Sequence, residues 1–139
     1  MLTFSNETNF DIDTSIFEKI TELLTKKDVE CIFVSNHDMQ ELNLRTRNID
    51  KTTDVLSFPL DDVPFAPLGS IVVNVQMADE MSNKLGHSLC DELSLLFIHG
   101  MLHLVGYDHE VDNGEMRKKE EELINRFNLP KSLINRTEE

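Results

Sequence analysis

From Leu93 to Val105 the chain is apolar at every position except Ser94, Gly100 and two histidines, His99 and His103. A helix that is apolar nearly all round is not a surface helix, so this segment has to run through the middle of the domain with other elements wrapped around it. The two histidines are four apart and lie one above the other on the same helical face. Gly106 comes three residues later and can take the left-handed conformation that ends a helix. The chain then turns back, and His109 can approach the pair from a second direction. Three of the five histidines thus fall between His99 and His109. Burying two imidazoles in such a run without partners costs roughly 1–3 kcal/mol for each unsatisfied group. A shared metal ion removes that penalty and accounts for the third histidine. Three imidazoles with a fourth position free is the ligand count of a catalytic zinc site, whereas a structural site is normally closed by four protein ligands.

The spacing of the three histidines, with a glycine at the seventh step, reproduces that of the metzincin peptidases. It predicts a zincin-like, histidine-bearing central helix. Those peptidases place a glutamate directly after the first histidine, as general base for the water that attacks. Here that residue is Gly100, which cannot accept a proton, so a zinc metallopeptidase-like hydrolase is the alternative and not the first reading.

Composition narrows the classes further. A chain of 139 residues is long enough for one domain, 1–139, to bury a core without staples. No stretch approaches the length of a membrane span and no basic-then-apolar signal opens the chain, so a cytoplasmic protein is expected. Cys31 and Cys90 stand in apolar surroundings and read as free, buried thiols. The net charge of −13 argues against high-affinity, non-specific binding to duplex nucleic acid. The acids dominate residues 1–40 and 60–109, while residues 41–59 are balanced, with Arg45, Arg47 and Lys51 against Glu41, Asp50 and Asp54. Any polyanion would meet those central bases or the C-terminal helix.

Along the chain, Leu2–Phe4 reads as a short edge strand. Asp13, Thr14 and Ser15 offer cap chemistry for a helix with Ile16, Phe17, Ile20, Leu23 and Leu24 on one face. Val29–Val34 is a strand. Asn36 caps a short helix through Met39, Leu42 and Leu44, with His37 on its surface. Residues 45–53 are polar and aperiodic, a loop leading into a strand over Asp54–Leu60 that proline closes. After a second loop, Gly69–Val75 is a β-branched, buried central strand. Gln76–Leu85 is a helix ending near Gly86. Ser88 and Asp91 form an S-x-x-D start for the histidine helix. Asp112 or Asn113 caps a last helix through Met116, Leu123, Ile124 and Phe127, whose Arg117–Glu122 face is solvated. The fold class is α+β, one mixed sheet of about four strands covered by helices.

The motif His99-Gly100-x-Leu102-His103-Leu104-x-Gly106-Tyr107-Asp108-His109 resembles the signature of the YbeY family of bacterial endoribonucleases, the rRNA maturation factors. A second block, Thr53-Asp54-Val55-Leu56-Ser57-Phe58-Pro59 with Arg47 six residues before it, and a third, Leu68-Gly69 leading into Ile71-Val72-Val73, agree in order and spacing. The resemblance covers nearly the whole chain. It implies a single-strand-specific, metal-dependent RNase acting in 16S rRNA 3′-end maturation and ribosome quality control, in which a metal-activated water attacks the phosphodiester. It carries over His99, His103 and His109 as ligands of one zinc ion, although imidazoles also suit nickel and other divalent transition metals. It carries over Arg47 as the catalytic arginine, a clamp for the scissile phosphate. Ser57 and Phe58 are candidate substrate contacts; for Phe58, as for Tyr107, core packing is the competing role. Asp108 either orients a ligand imidazole or caps the turn. The implied partners are single-stranded RNA, rRNA above all, and the small ribosomal subunit or an assembly factor, with no membrane and no DNA. A non-catalytic, metal-stabilised assembly factor is a further alternative. Two departures from the family bear on this: Ser70 stands where many members have an acid, and Asn48 stands where relatives often have glycine after the arginine.

Overall fold

The computed structural model describes residues 1–60, 63–107 and 114–130. In chain order its elements are β1 (Leu2–Asn6), α1 (Ser15–Leu24), β2 (Val29–Val34), α2 (Asn36–Arg47), β3 (Val55–Pro59), β4 (Gly69–Asn74), α3 (Val75–Leu85), α4 (Leu89–Leu104) and α5 (Glu115–Arg126). Helix α4 is the histidine helix. Ser88 starts it by accepting the Asp91 N–H at 3.0 Å, which satisfies one of the donors that a helix start leaves open. From Glu92 to Leu104 every residue of α4 is buried except His99 and His103, which are half-buried. The helix is therefore central, packed on α1, α3, α5, β3 and β4.

The sheet has four strands in the order β1-β2-β4-β3. β1, β2 and β4 are parallel and β3 closes the far edge antiparallel, so the sheet is mixed. Side chains alternate between its faces, and the register sorts them cleanly. Cys31, Phe33, Ile71, Val73 and Val55 face the large core shared with α1, α4 and α5. Leu56, Val72, Val34 and Phe58 face the other way, onto Met39 and Leu42 of α2. Helices thus cover both faces, with α4 and α2 on opposite sides. The ring of Phe17, 5.0 Å from that of Phe97 and 6.0 Å from that of Phe33, ties α1 to α4 and to the sheet.

Several boundaries differ from the sequence expectation. Ser35, not Asn36, caps α2, accepting the Asp38 N–H. That helix runs on through Arg45 and Arg47, residues that read as loop because the apolar pattern stops at Leu44. Val75 belongs to α3 and not to the strand, because Asn74 accepts the Met77 N–H at 3.0 Å and starts the helix one residue early. Gly114 occupies the cap position of α5, while Asp112 and Asn113 lie outside the described residues. Cys31 is buried, and burial pushes its thiol far above the ordinary range, with Glu30 adding to the shift. Cys90 is exposed instead of buried, since it sits in the first turn of α4 before the helix enters the core. Among the described residues no helix is long and apolar enough to cross a membrane.

The polar segment before β3 is tightly held. Asn74 is fully buried, and its Nδ2 lies within donating distance of Asn36 Oδ1 at 2.6 Å, Thr52 Oγ1 at 2.9 Å and the Thr53 carbonyl at 3.1 Å. Asn43 Nδ2 donates to the Lys51 carbonyl and Gln40 Nε2 to Asp50 Oδ1, both at 2.9 Å. One buried amide therefore joins the start of α2, the loop and the start of α3.

Candidate functional site

The C-terminal half of α4 lies along β3. Ser57 Oγ donates to the Gly100 carbonyl at 3.1 Å, pinning the helix between its two histidines. The close approach depends on Gly100: a Cβ there would stand 3.0 Å from Ile71 Cγ2 and 3.2 Å from Ser57 Oγ. The position that holds glutamate in the peptidases thus faces the sheet here, where a carboxylate would be buried against an isoleucine.

The imidazoles of His99 and His103 meet edge to face, with centroids 4.7 Å apart and planes at 81°. Their Nε2 atoms approach to 3.2 Å, and the other nitrogen of each ring is engaged from outside the helix. His103 Nδ1 is 3.1 Å from the Tyr107 carbonyl. A carbonyl only accepts, so Nδ1 carries the proton and Nε2 presents a lone pair. Gly106, at φ +111°, makes this possible: it ends the helix and lets the Tyr107 N–H reach back to the Leu102 carbonyl at 2.9 Å, setting the Tyr107 carbonyl beside the ring. His99 Nδ1 is 2.7 Å from Oε1 of Glu120 on α5. The Glu120 side chain is 2 % exposed, whereas that of His99 is 31 % exposed, so the pair opens to solvent on the histidine side.

This donor set suits a metal ion. With the Glu120 carboxyl and the Tyr107 carbonyl set against the two Nδ1 atoms, the two Nε2 atoms turn toward each other, the atoms through which a shared ion would be held. Two nitrogens bound at 2.0–2.1 Å to a tetrahedral ion stand about 3.3 Å apart, close to the 3.2 Å observed. Among the described residues no group of three or more His, Cys, Asp or Glu side chains is placed to hold a metal. His109, expected as third ligand, and Asp108 lie outside those residues.

The other expected site residues are placed as follows. Arg47 ends α2 and is exposed, and among the described residues its guanidinium has no hydrogen-bond or ion-pair partner. α2 covers the sheet face opposite α4, and the chain runs from Arg47 through the fastened loop into β3, the strand along which α4 lies. Asn48 adopts the left-handed conformation, φ 57° and ψ 34°, which asparagine tolerates better than most residues with a side chain. Phe58 packs on the α2 side and Tyr107 against the large core. Ser57 spends its hydroxyl on α4. Ser70 bonds Glu30 across the β2–β4 pair at 3.4 Å, in the register of the face away from the histidines. His37 is exposed and pairs with Glu41, as a surface residue should.

Glu120 departs from the solvated face expected for Arg117–Glu122. The signal was present: the stripe Met116, Leu123, Ile124, Phe127 lacks its member one turn after Met116, and Glu120 fills that gap.

Fold and site together define an α+β domain whose central helix carries paired histidines, each ring engaged at Nδ1 from outside the helix. The chain belongs to the YbeY family: the family profile, described as Endoribonuclease YbeY, matches residues 4–128. Proteins called Endoribonuclease YbeY are 52 % identical in Nautilia profundicola over the full length of both chains. The Campylobacter jejuni protein of that name is 59 % identical over 91 % of this chain and 95 % of its own. The Helicobacter pylori protein is 53 % identical over 100 % and 99 %. A Thermotoga maritima protein with a known solution structure superposes with a TM-score of 0.62 at 29 % identity, covering 100 % of this chain and 96 % of that one.

Proposed function

We propose that this chain is a single-strand-specific, metal-dependent endoribonuclease that matures the 3′ end of 16S rRNA and takes part in ribosome quality control. The observation carrying this reading is the 3.2 Å approach of two histidine Nε2 atoms whose rings are each held from the Nδ1 side. RNA as substrate comes from the family. In this reading α4 is a zincin-like helix, and His99, His103 and His109 hold one zinc ion or another divalent transition metal. Such an ion, when bound, polarises a phosphoryl oxygen and lowers the pKa of water. Arg47 supplies the phosphate clamp that the family resemblance assigns it, its planar fork matching two phosphate oxygens. The peptidase alternative has no proton acceptor at Gly100. The net charge of −13 confines RNA contact to a few local bases, which fits an unpaired strand delivered by the small ribosomal subunit or an assembly factor in the cytoplasm.

The test is cleavage of an unstructured RNA oligonucleotide and its duplex by zinc-loaded protein. The single strand is expected to be cut and the duplex spared. His103→Ala should abolish the activity, Arg47→Ala should reduce it about 10²-fold, and a chelator should remove it reversibly. Zinc-loaded wild type that leaves the single strand intact sinks the nuclease reading and leaves an RNA-binding assembly factor. Cleavage of casein, indifferent to Arg47, would favour the peptidase.

A further inference from the structure

We infer that Glu120 is the positioning residue of the histidine site: its carboxylate fixes His99 in the Nδ1–H tautomer and aims Nε2 at the ion. The inference rests on the metal reading above and adds a group that none of the sequence motifs contains.

Stability does not account for Glu120. It lies on the buried stripe of α5 with Met116, Leu123 and Ile124, each fully buried, and is itself 2 % exposed. A leucine would complete that stripe without a carboxyl group to desolvate, and His99, being half-exposed, can turn to water for the acceptor it loses. What the carboxylate does is reach α4. Its Oε1 lies 2.7 Å from His99 Nδ1, and the short distance is that of a charge-assisted bond. It touches the ring on the side away from His103, because the two Nε2 atoms face each other. Glu120 therefore cannot serve as the base that the peptidases place after their first histidine. It acts through His99 alone, by selecting the tautomer and holding the ring plane. His103 obtains the same service from a backbone carbonyl, so the two ligands are oriented by different means: one by the turn at Gly106, the other by a side chain from a separate helix. A carboxylate behind a ligand imidazole also raises its basicity, and losing such a group typically lowers metal affinity 10–100-fold.

The experiment compares full-length wild type, Glu120→Leu and Glu120→Gln in two measurements. Cobalt(II) affinity is read by competition with a chromophoric chelator, with melting of the metal-free proteins alongside. Long-range nitrogen–proton NMR of the metal-free proteins reads the His99 tautomer. Glu120→Leu is expected to melt no lower than wild type yet to bind cobalt at least 10-fold more weakly. Glu120→Gln, which keeps an acceptor oxygen but not the charge, is expected to lose less than Glu120→Leu and to retain the Nδ1–H form. Cobalt affinity within 2-fold of wild type in Glu120→Leu overturns the inference, as does a wild-type His99 that carries its proton on Nε2 and none on Nδ1. Should Glu120→Leu fail to fold, Glu120→Gln and the wild-type tautomer still decide it. Wild type that binds no cobalt at all refutes the metal reading, while the tautomer measurement separately decides what Glu120 does.

Discussion

Replacing Asn74 with alanine removes two separable contributions, and their sizes follow from its contacts. The side-chain oxygen caps α3 through the Met77 N–H, and losing such a cap costs about 1 kcal/mol. The amide nitrogen serves acceptors on Asn36, Thr52 and Thr53. Those groups are only partly buried, so water replaces some of what is lost, and about 2 kcal/mol is the reasonable cost for the three together. Asn74→Ala should thus lose about 3 kcal/mol, or about 10 °C in melting temperature for a domain of this size. Asn74→Ser separates the terms, since serine caps as well as asparagine but cannot reach the three acceptors. It should recover about 1 kcal/mol of the loss and no more. Thermal melts followed by circular dichroism, with urea titrations for the free energies, measure both variants. If Asn74→Ser melts within 3 °C of wild type, the cap is the whole effect and the loop carrying the chain from Arg47 into β3 is not fastened as argued.

Two further outcomes follow from the structure. Gly106→Ala places a Cβ with no described residue within 4 Å but at φ +111°, so its cost is conformational, about 1–2 kcal/mol; melting should fall by about 5 °C and zinc affinity should fall with it, whereas an unchanged melt would refute the role of this turn. Ellman's reagent should titrate one thiol, Cys90, in the native protein and a second, Cys31, only in guanidinium. Burial raises the Cys90 pKa, with Asp91 and Asp13 contributing in the same sense, so its labelling should keep accelerating as pH rises past the usual thiol range; a rate already level at pH 8 would contradict that shift.

The sequence was most informative where one physical signal dominated. Apolar residues on all sides of the 93–105 segment could mean only a central helix, and the β-branched run Ile71-Val72-Val73 made Gly69–Val75 an interior strand, which the structure keeps through Asn74. Ser88 with Asp91, and Gly86 and Gly106 after their helices, marked ends that the structure keeps. It was least informative where tertiary contacts override local pattern. Arg45 and Arg47 extend a helix whose apolar periodicity has already stopped, because the left-handed turn at Asn48 terminates it instead. Asn74 looked like a strand residue, and only its neighbours make it the junction of three segments. Glu120 lay in a run of six charged residues, Arg117–Glu122, and only its spacing from Met116 and Ile124 marks it as the member that turns inward. At the site the pairing of His99 with His103 followed from their spacing, whereas the means of orienting each ring did not, because one comes from a backbone carbonyl and the other from a helix that begins eleven residues beyond Leu104.

That last arrangement bears on how the protein comes into being. A ribosome delivers α4 well before α5, so an emerging chain holds its first histidine for a time with nothing behind the ring. The carboxylate that orients it is among the later parts to be made. Translation order therefore makes the centre one of the last features of the molecule to be completed, once the C-terminal helix has docked.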